Sequence, residues 1–76
     1  MSDPRFVNIG EFDDKLIEEC SELIKAICKA KRFGFDGYHP DRPDKNNAQE
    51  ILDEIEDVRR AINELEPYLI CLVRAK

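Results

Sequence analysis

From Glu11 to Arg32 the chain contains neither proline nor glycine, and along this run Phe12, Leu16, Cys20, Leu23 and Ile27 recur at intervals of three and four. That period is the signature of a helix with one apolar face, and Ile17, Ile24 and Cys28 widen the stripe. The helix spans about 30 Å at ~1.5 Å per residue. A second periodic segment carries Ile51, Leu52, Ile55, Val58, Ile62 and Leu65 on one stripe and is expected to end near Glu66. Its start is marked by a capping box, formed either by Asn46 with Gln49 or by Asn47 with Glu50. Between the two lies Phe33-Gly-Phe-Asp-Gly-Tyr-His-Pro-Asp-Arg-Pro-Asp, with two of the three glycines and two of the four prolines, which reads as a loop over 33–45.

Pro67 suits the first turn of a third helix, where a missing N–H costs nothing. Tyr68 to Val73 is apolar nearly all round, so as a helix it implies burial on more than one side. A strand there would have no partner within the chain, and a short helix at a subunit interface is the better assignment. The expected fold is all-α: two long antiparallel helices plus a short C-terminal helix, completing a four-helix-type bundle by oligomerisation.

Seventy-six residues make a single domain, 1–76, with 1–10 as an irregular lead-in whose Phe6, Val7 and Ile9 can pack on a neighbour. A core of this size supplies only ~3–5 kcal/mol, so a partner copy is expected. The formal charge of -5 and pI near 4.8 exclude polyanion binding through a basic surface, whether nucleic acid or anionic membrane. The N-terminal residues carry charges and no apolar run, unlike a signal peptide, and Tyr68 to Val73 is too short to span a bilayer. These features lead us to expect a cytoplasmic protein. The three cysteines, Cys20, Cys28 and Cys71, form no CxxC pair, and Cys20 and Cys28 are expected in the core of a protein kept reduced. A single histidine, His39, makes a Cys/His zinc site improbable.

Two acidic pairs, Glu19-x-x-Glu22 and Glu54-x-x-Asp57, are each followed one turn later by alanine, Ala26 and Ala61. Residues three apart share a helix face, and each pair flanks the apolar stripe of its helix. When the stripes pack, four carboxylates face one another at one edge of the interface, beside space that the alanines leave open. Like charges about 5 Å apart repel by ~3 kcal/mol at an effective dielectric near 20, so such a cluster calls for a cation or for protonation. Oxygen ligands suit Mg²⁺ or Mn²⁺ rather than zinc. The competing account is a solvated acidic face, with ion pairs to Lys15, Lys25, Lys29, Arg59 or Arg60.

The run Glu18-Glu19-Cys20-Ser21-Glu22, with Glu54-Ile55-Glu56-Asp57, resembles the EExxE and ExxD signature of the MazG-like all-alpha nucleoside triphosphate pyrophosphohydrolases. Leu23-Ile24-Lys25-Ala26 and Lys31-Arg32-Phe33-Gly34 look like the compact single-domain versions of phages and bacteria. The likeness covers roughly Phe12 to Glu66. It implies metal-dependent hydrolysis of a (deoxy)nucleoside triphosphate to the monophosphate and pyrophosphate, in a homodimer or homotetramer within a bacterial or phage-infected cell. By motif, Glu19, Glu22, Glu54 and Asp57 correspond to the Mg²⁺ ligands, with Mn²⁺ as a substitute. Glu18 corresponds to the first acid of the signature, which serves the outer shell, a further metal or the orientation of the attacking water, so Glu18 and Glu19 are the candidate catalytic residues. The stretch between the two halves is somewhat long for the family, and Gly34 to Asp44 is either a substrate-binding loop or a surface insertion.

Phosphoanhydride cleavage fits these residue types: it needs phosphate charge neutralised and a water placed in line, and little covalent help from protein. No Ser, Cys or His arrangement suggests a covalent route. Lys29, Lys31, Arg32 and Arg60 are candidates for the remaining phosphate charge, against the alternative of solvated or helix-terminal cations. Asn47 is a candidate for sugar or phosphate contact, against a capping role. Phe33, Phe35, Tyr38 and His39 offer aromatic surface for a base, or for packing the loop down. Two other readings stay open: a base-specific relative acting on dGTP, dUTP, dCTP or phosphoribosyl-ATP, and a non-catalytic helical interaction or regulatory module whose acids keep it soluble.

Overall fold

The computed structural model describes residues 9–37 and 44–75, so the lead-in up to residue 8 and the loop residues Tyr38 and His39 lie outside the described residues. Two helices account for most of the chain: α1, Ile9–Phe33, and α2, Asn47–Arg74. They pack side by side and antiparallel. Phe12, near the start of α1, stacks on Tyr68, near the end of α2, with ring centroids 5.2 Å apart, and Lys29 at the far end of α1 pairs with Glu50 in the first turn of α2 at 2.8 Å. The all-α expectation holds, with no strand among the described residues.

The turn between the helices is closed by hydrogen bonds that satisfy both helix ends. Gly34 takes φ 99°, the left-handed conformation that ends a helix, and its N–H donates to the Ala30 carbonyl at 2.7 Å. The exposed N–H groups of α2 then find partners one by one. Asn47 N–H donates to Gly37 O at 2.7 Å, Ala48 N–H to Phe35 O at 2.8 Å, and Gln49 N–H to the Asn46 side chain at 2.9 Å. Gly37 sits so close to the end of α1 that a Cβ there would lie 2.8 Å from the Phe33 carbonyl, so only glycine fits.

Asn46 is therefore the cap, which decides between the two boxes read from sequence. The reciprocal half of the box is absent: Gln49 Nε2 turns along the helix to Asp53 at 3.1 Å. Asn47 has a different task. Its side chain is buried, and Nδ2 donates to the Gly34 carbonyl at 2.8 Å, tying the end of one helix to the start of the other.

The C-terminal region corrects the sequence reading. There is no separate third helix: α2 continues through Pro67 to Arg74, and Ala75 N–H closes its end on the Cys71 carbonyl at 3.0 Å. Proline inside a helix removes one backbone bond, at a cost of about 3 kcal/mol. Tyr68 stacks on Phe12 only if the helix keeps its direction past Pro67, and that contact offsets part of the cost. Asn63, whose carbonyl would have accepted from residue 67, is exposed, so water can satisfy it.

The core is thin. Ala30, Ala61 and Leu65 are its buried apolar residues, whereas Ile17, Ile24, Leu52 and Val73 are each more than half exposed. Two helices share a single interface, and the apolar stripes are wider than one interface can cover. The extents of 50 × 21 × 19 Å and a radius of gyration of 16.5 Å, against roughly 11 Å for a globular domain of this length, describe a rod. No helix among the described residues is long and apolar enough to cross a membrane.

Candidate metal centre

The acids meet across the helix pair, though not as a symmetrical foursome. One carboxylate oxygen each from Glu19 on α1 and from Glu54 and Asp57 on α2 lie within 4.8 Å of one another. Glu22 stands outside this group and instead lines a cleft of about 580 Å³ beside Glu54. Its charge still reaches Glu54. Burial is the main cause that pushes the Glu54 carboxyl above its ordinary value, followed by the nearby charges of Asp57, Glu22 and Glu19. Glu54 Oε2 is buried and has no hydrogen-bond partner.

The neighbouring acids are better served. Lys15 reaches Glu19 at 3.0 Å, and that hydrogen bond raises the lysine pKa. Arg60 bonds Asp57 at 3.3 Å from the next turn of α2, so it spends its charge on an acid of the cluster. Lys25 lies 3.9 Å from Glu22. Of the cations weighed in the competing account, Lys15, Lys25 and Arg60 pair with acids of the two motifs, Lys29 and Arg59 turn instead to Glu50 and Glu56, and Glu54 Oε2 is left without a hydrogen-bond partner. Glu18 is exposed and outside the group, its carbonyl accepting the Ser21 hydroxyl at 2.8 Å.

Of the two alanines, only Ala26 borders open space, in the cleft wall. Ala61 is 2% exposed and belongs to the helix–helix contact, so its small size serves packing. Ala30, fully buried, has the same place on α1 and escaped the sequence reading because alanine carries little weight in a hydrophobic stripe. Cys28 is a second correction: it is exposed and lines the cleft. Eight residues beyond Cys20 it has rotated about 80° round the helix, past the edge of the narrow interface. Cys20 is half-buried.

Among the cations read from sequence, Lys29 and Arg32 line the cleft, while Lys31 is exposed at the end of α1 and does not line it. The Arg32 guanidinium lies over the Phe33 ring, 5.9 Å from its centroid. Asn47 is committed to Gly34, as described above. Lys45 also lines the cleft, and its Nζ is 2.6 Å from Asp53, a bond that is the main cause holding the Asp53 carboxyl below its ordinary range. Sequence reading passed over Lys45 because it sits in a polar linker with no periodicity to give it a face.

An oxygen-only donor set from two helices, with one buried carboxylate oxygen lacking a partner, fits a hard divalent cation such as Mg²⁺ or Mn²⁺. Comparison with family models, curated proteins and solved structures finds no match for this chain.

Proposed function

We propose that this protein is a metal-dependent hydrolase of the MazG-like kind, cleaving a (deoxy)nucleoside triphosphate to the monophosphate and pyrophosphate. The observation that carries this reading is the convergence of Glu19, Glu54 and Asp57 from two antiparallel helices, with Glu54 Oε2 buried and unpartnered. In this reading these three carboxylates hold the ion, and Glu22, beside Glu54 on the cleft wall, faces the substrate side. Bound Mg²⁺ supplies charge neutralisation on the phosphates and a coordinated water of lowered pKa. The residues of the chain do the rest. Lys15 balances Glu19, Arg60 balances Asp57, and Lys25, Lys29 and Arg32 face the cleft where phosphate charge must be matched.

The exposed apolar face formed by residues such as Ile17, Ile24 and Leu52 supports the further expectation that two or more copies associate into a bundle, as a homodimer or homotetramer. The same face, with ion pairs already on Glu19 and Asp57, favours the second reading, a helical interaction module without catalysis.

A panel of nucleotides with Mg²⁺, resolved by product, separates the two. Pyrophosphate release is expected, and Glu19→Gln or Asp57→Asn is expected to lower it by at least about a hundredfold with far-UV circular dichroism unchanged, as for loss of electrostatic stabilisation of a transition state. No release from any nucleotide with Mg²⁺ or Mn²⁺ selects the interaction module.

A further inference from the structure

α1 carries more apolar surface than α2 covers, and the excess has a period of its own. Asp13, Ile17, Cys20, Ile24, Ile27 and Lys31 follow one another at alternating steps of four and three, the heptad spacing of a helix that pairs along a narrow seam. Ile17 and Ile24, in the middle of this seam, are 67% and 61% exposed, and they line an apolar groove with Asp13, Cys20 and Leu65. The seam lies about 100° round α1 from Ala30, which is buried against α2, so the hairpin by itself does not fill it. None of the seam residues lines the cleft that holds Glu22 and Glu54.

The two ends of the seam carry opposite charges. Asp13 stands at one end and Lys31 at the other, and among the described residues neither takes part in an ion pair. A helix dipole favours acids early and bases late in any helix, but it favours no particular face. Asp14 and Arg32, with the same charges one residue on, lie about 100° further round α1 and off the seam.

We propose that this seam is an interface between two copies of the chain, their α1 helices packed antiparallel about the level of Glu22. The pairing narrows the association suggested above to one surface and one orientation, and it stands apart from the hydrolase reading. In this register Asp13 meets the partner's Lys31, Ile17 meets the partner's Ile27 and Cys20 meets the partner's Ile24, and the two-fold axis repeats each contact. A parallel pair would set Asp13 on Asp13 and Lys31 on Lys31, with like charges together at both ends. The antiparallel two-fold also carries both α2 helices to one side of the paired α1 helices, where Leu65 of each copy, already on the groove wall, adds to a four-helix core.

Sedimentation equilibrium of the full-length protein, without nucleotide, tests the charge pairs by exchange. Asp13→Lys and Lys31→Asp each bring like charges together twice in the dimer, and each is expected to raise the dissociation constant by at least about tenfold. The double variant Asp13→Lys with Lys31→Asp restores both pairs with their signs reversed and is expected to return to within about threefold of the parent. Asp14→Lys makes the same change of charge at the same end of α1 but off the seam, and is expected to stay within about threefold of the parent as well. Far-UV circular dichroism checks helix content, and if Asp13→Lys loses helix, Lys31→Asp and its rescue by the double variant keep the test decisive.

The inference is overturned if both single variants associate as the parent does, if the double variant is no tighter than the single ones, or if Asp14→Lys weakens association as much as Asp13→Lys. It is equally overturned if the parent stays monomeric up to about 1 mM, which would leave the seam to a protein of different sequence. Charge exchange that behaves as expected in a protein hydrolysing no nucleotide keeps the interface and removes the hydrolase. Hydrolysis by a protein indifferent to the exchange does the reverse.

Discussion

Glu54 holds a carboxylate oxygen where water does not reach and no donor meets it, next to two other acids whose charges repel it. Burial and these neighbours favour its protonated form, so its folded pKa lies above the ordinary value of 4.5. A raised carboxylate pKa means that the associated stability is fully present below about pH 4.5 and is lost as the pH climbs through the folded value. Glu54→Gln removes the charge and keeps the shape. Thermal melts across about pH 4 to pH 7 are expected to show the variant with a higher Tm than the parent at neutral pH, with the difference closing on acidification. A divalent ion relieves the same repulsion, so Mg²⁺ is expected to raise the Tm of the parent and leave the variant almost unmoved. Equal Mg²⁺ shifts in both would place the ion elsewhere.

The helix junction shows how individual hydrogen bonds decide where an element begins. Asn46 and Asn47 are adjacent and chemically identical, yet one caps α2 from solvent and the other is buried under the turn. Asn46→Ala is expected to cost about 1 kcal/mol, the ordinary loss of a cap. Asn47→Ala removes a buried amide that ties the two helix ends and leaves the Gly34 carbonyl only the longer 3.3 Å bond from Gly37 N–H, at an expected cost of about 1–3 kcal/mol, so denaturant titration should rank it the more harmful of the two. At the other end of α2, Pro67→Ala restores a backbone donor to the helix interior and is expected to stabilise by up to about 3 kcal/mol, less a part for the freer unfolded chain. A loss of stability on that change would mean that the ring itself packs against something the helix pair does not show.

A rod of two helices with three buried apolar side chains has little to hold it together alone. The apolar residues outside the interface, Ile17 and Ile24 among them, form with Leu65 the lining of a shallow apolar groove on α1. Covering that groove with a second copy would bury what the hairpin leaves wet, at about 25 cal/mol per Å². Sedimentation is expected to find an oligomer, with a Tm that rises with protein concentration, and Ile17→Lys with Ile24→Lys is expected to yield monomers that melt earlier. A monomer of undiminished stability in the parent would sink the bundle.

Residue order alone was enough to show an all-α chain with its two long helical segments, the break between them after Phe33 and the side of each helix on which the acids lie, though it split off the end of α2 as a third helix. All three follow from period and from i, i+3 geometry, which are properties of neighbours along the chain. The course of α2 through Pro67, the burial of Ala61 and Asn47, the exposure of Cys28 and the grouping of Glu19 with Glu54 and Asp57 but not Glu22 were settled only when the helices packed. Each depends on the rotation and axial offset of one helix against the other. Those two quantities are set by contacts such as Phe12 on Tyr68 and Lys29 on Glu50, between residues far apart in sequence, and no local pattern encodes them.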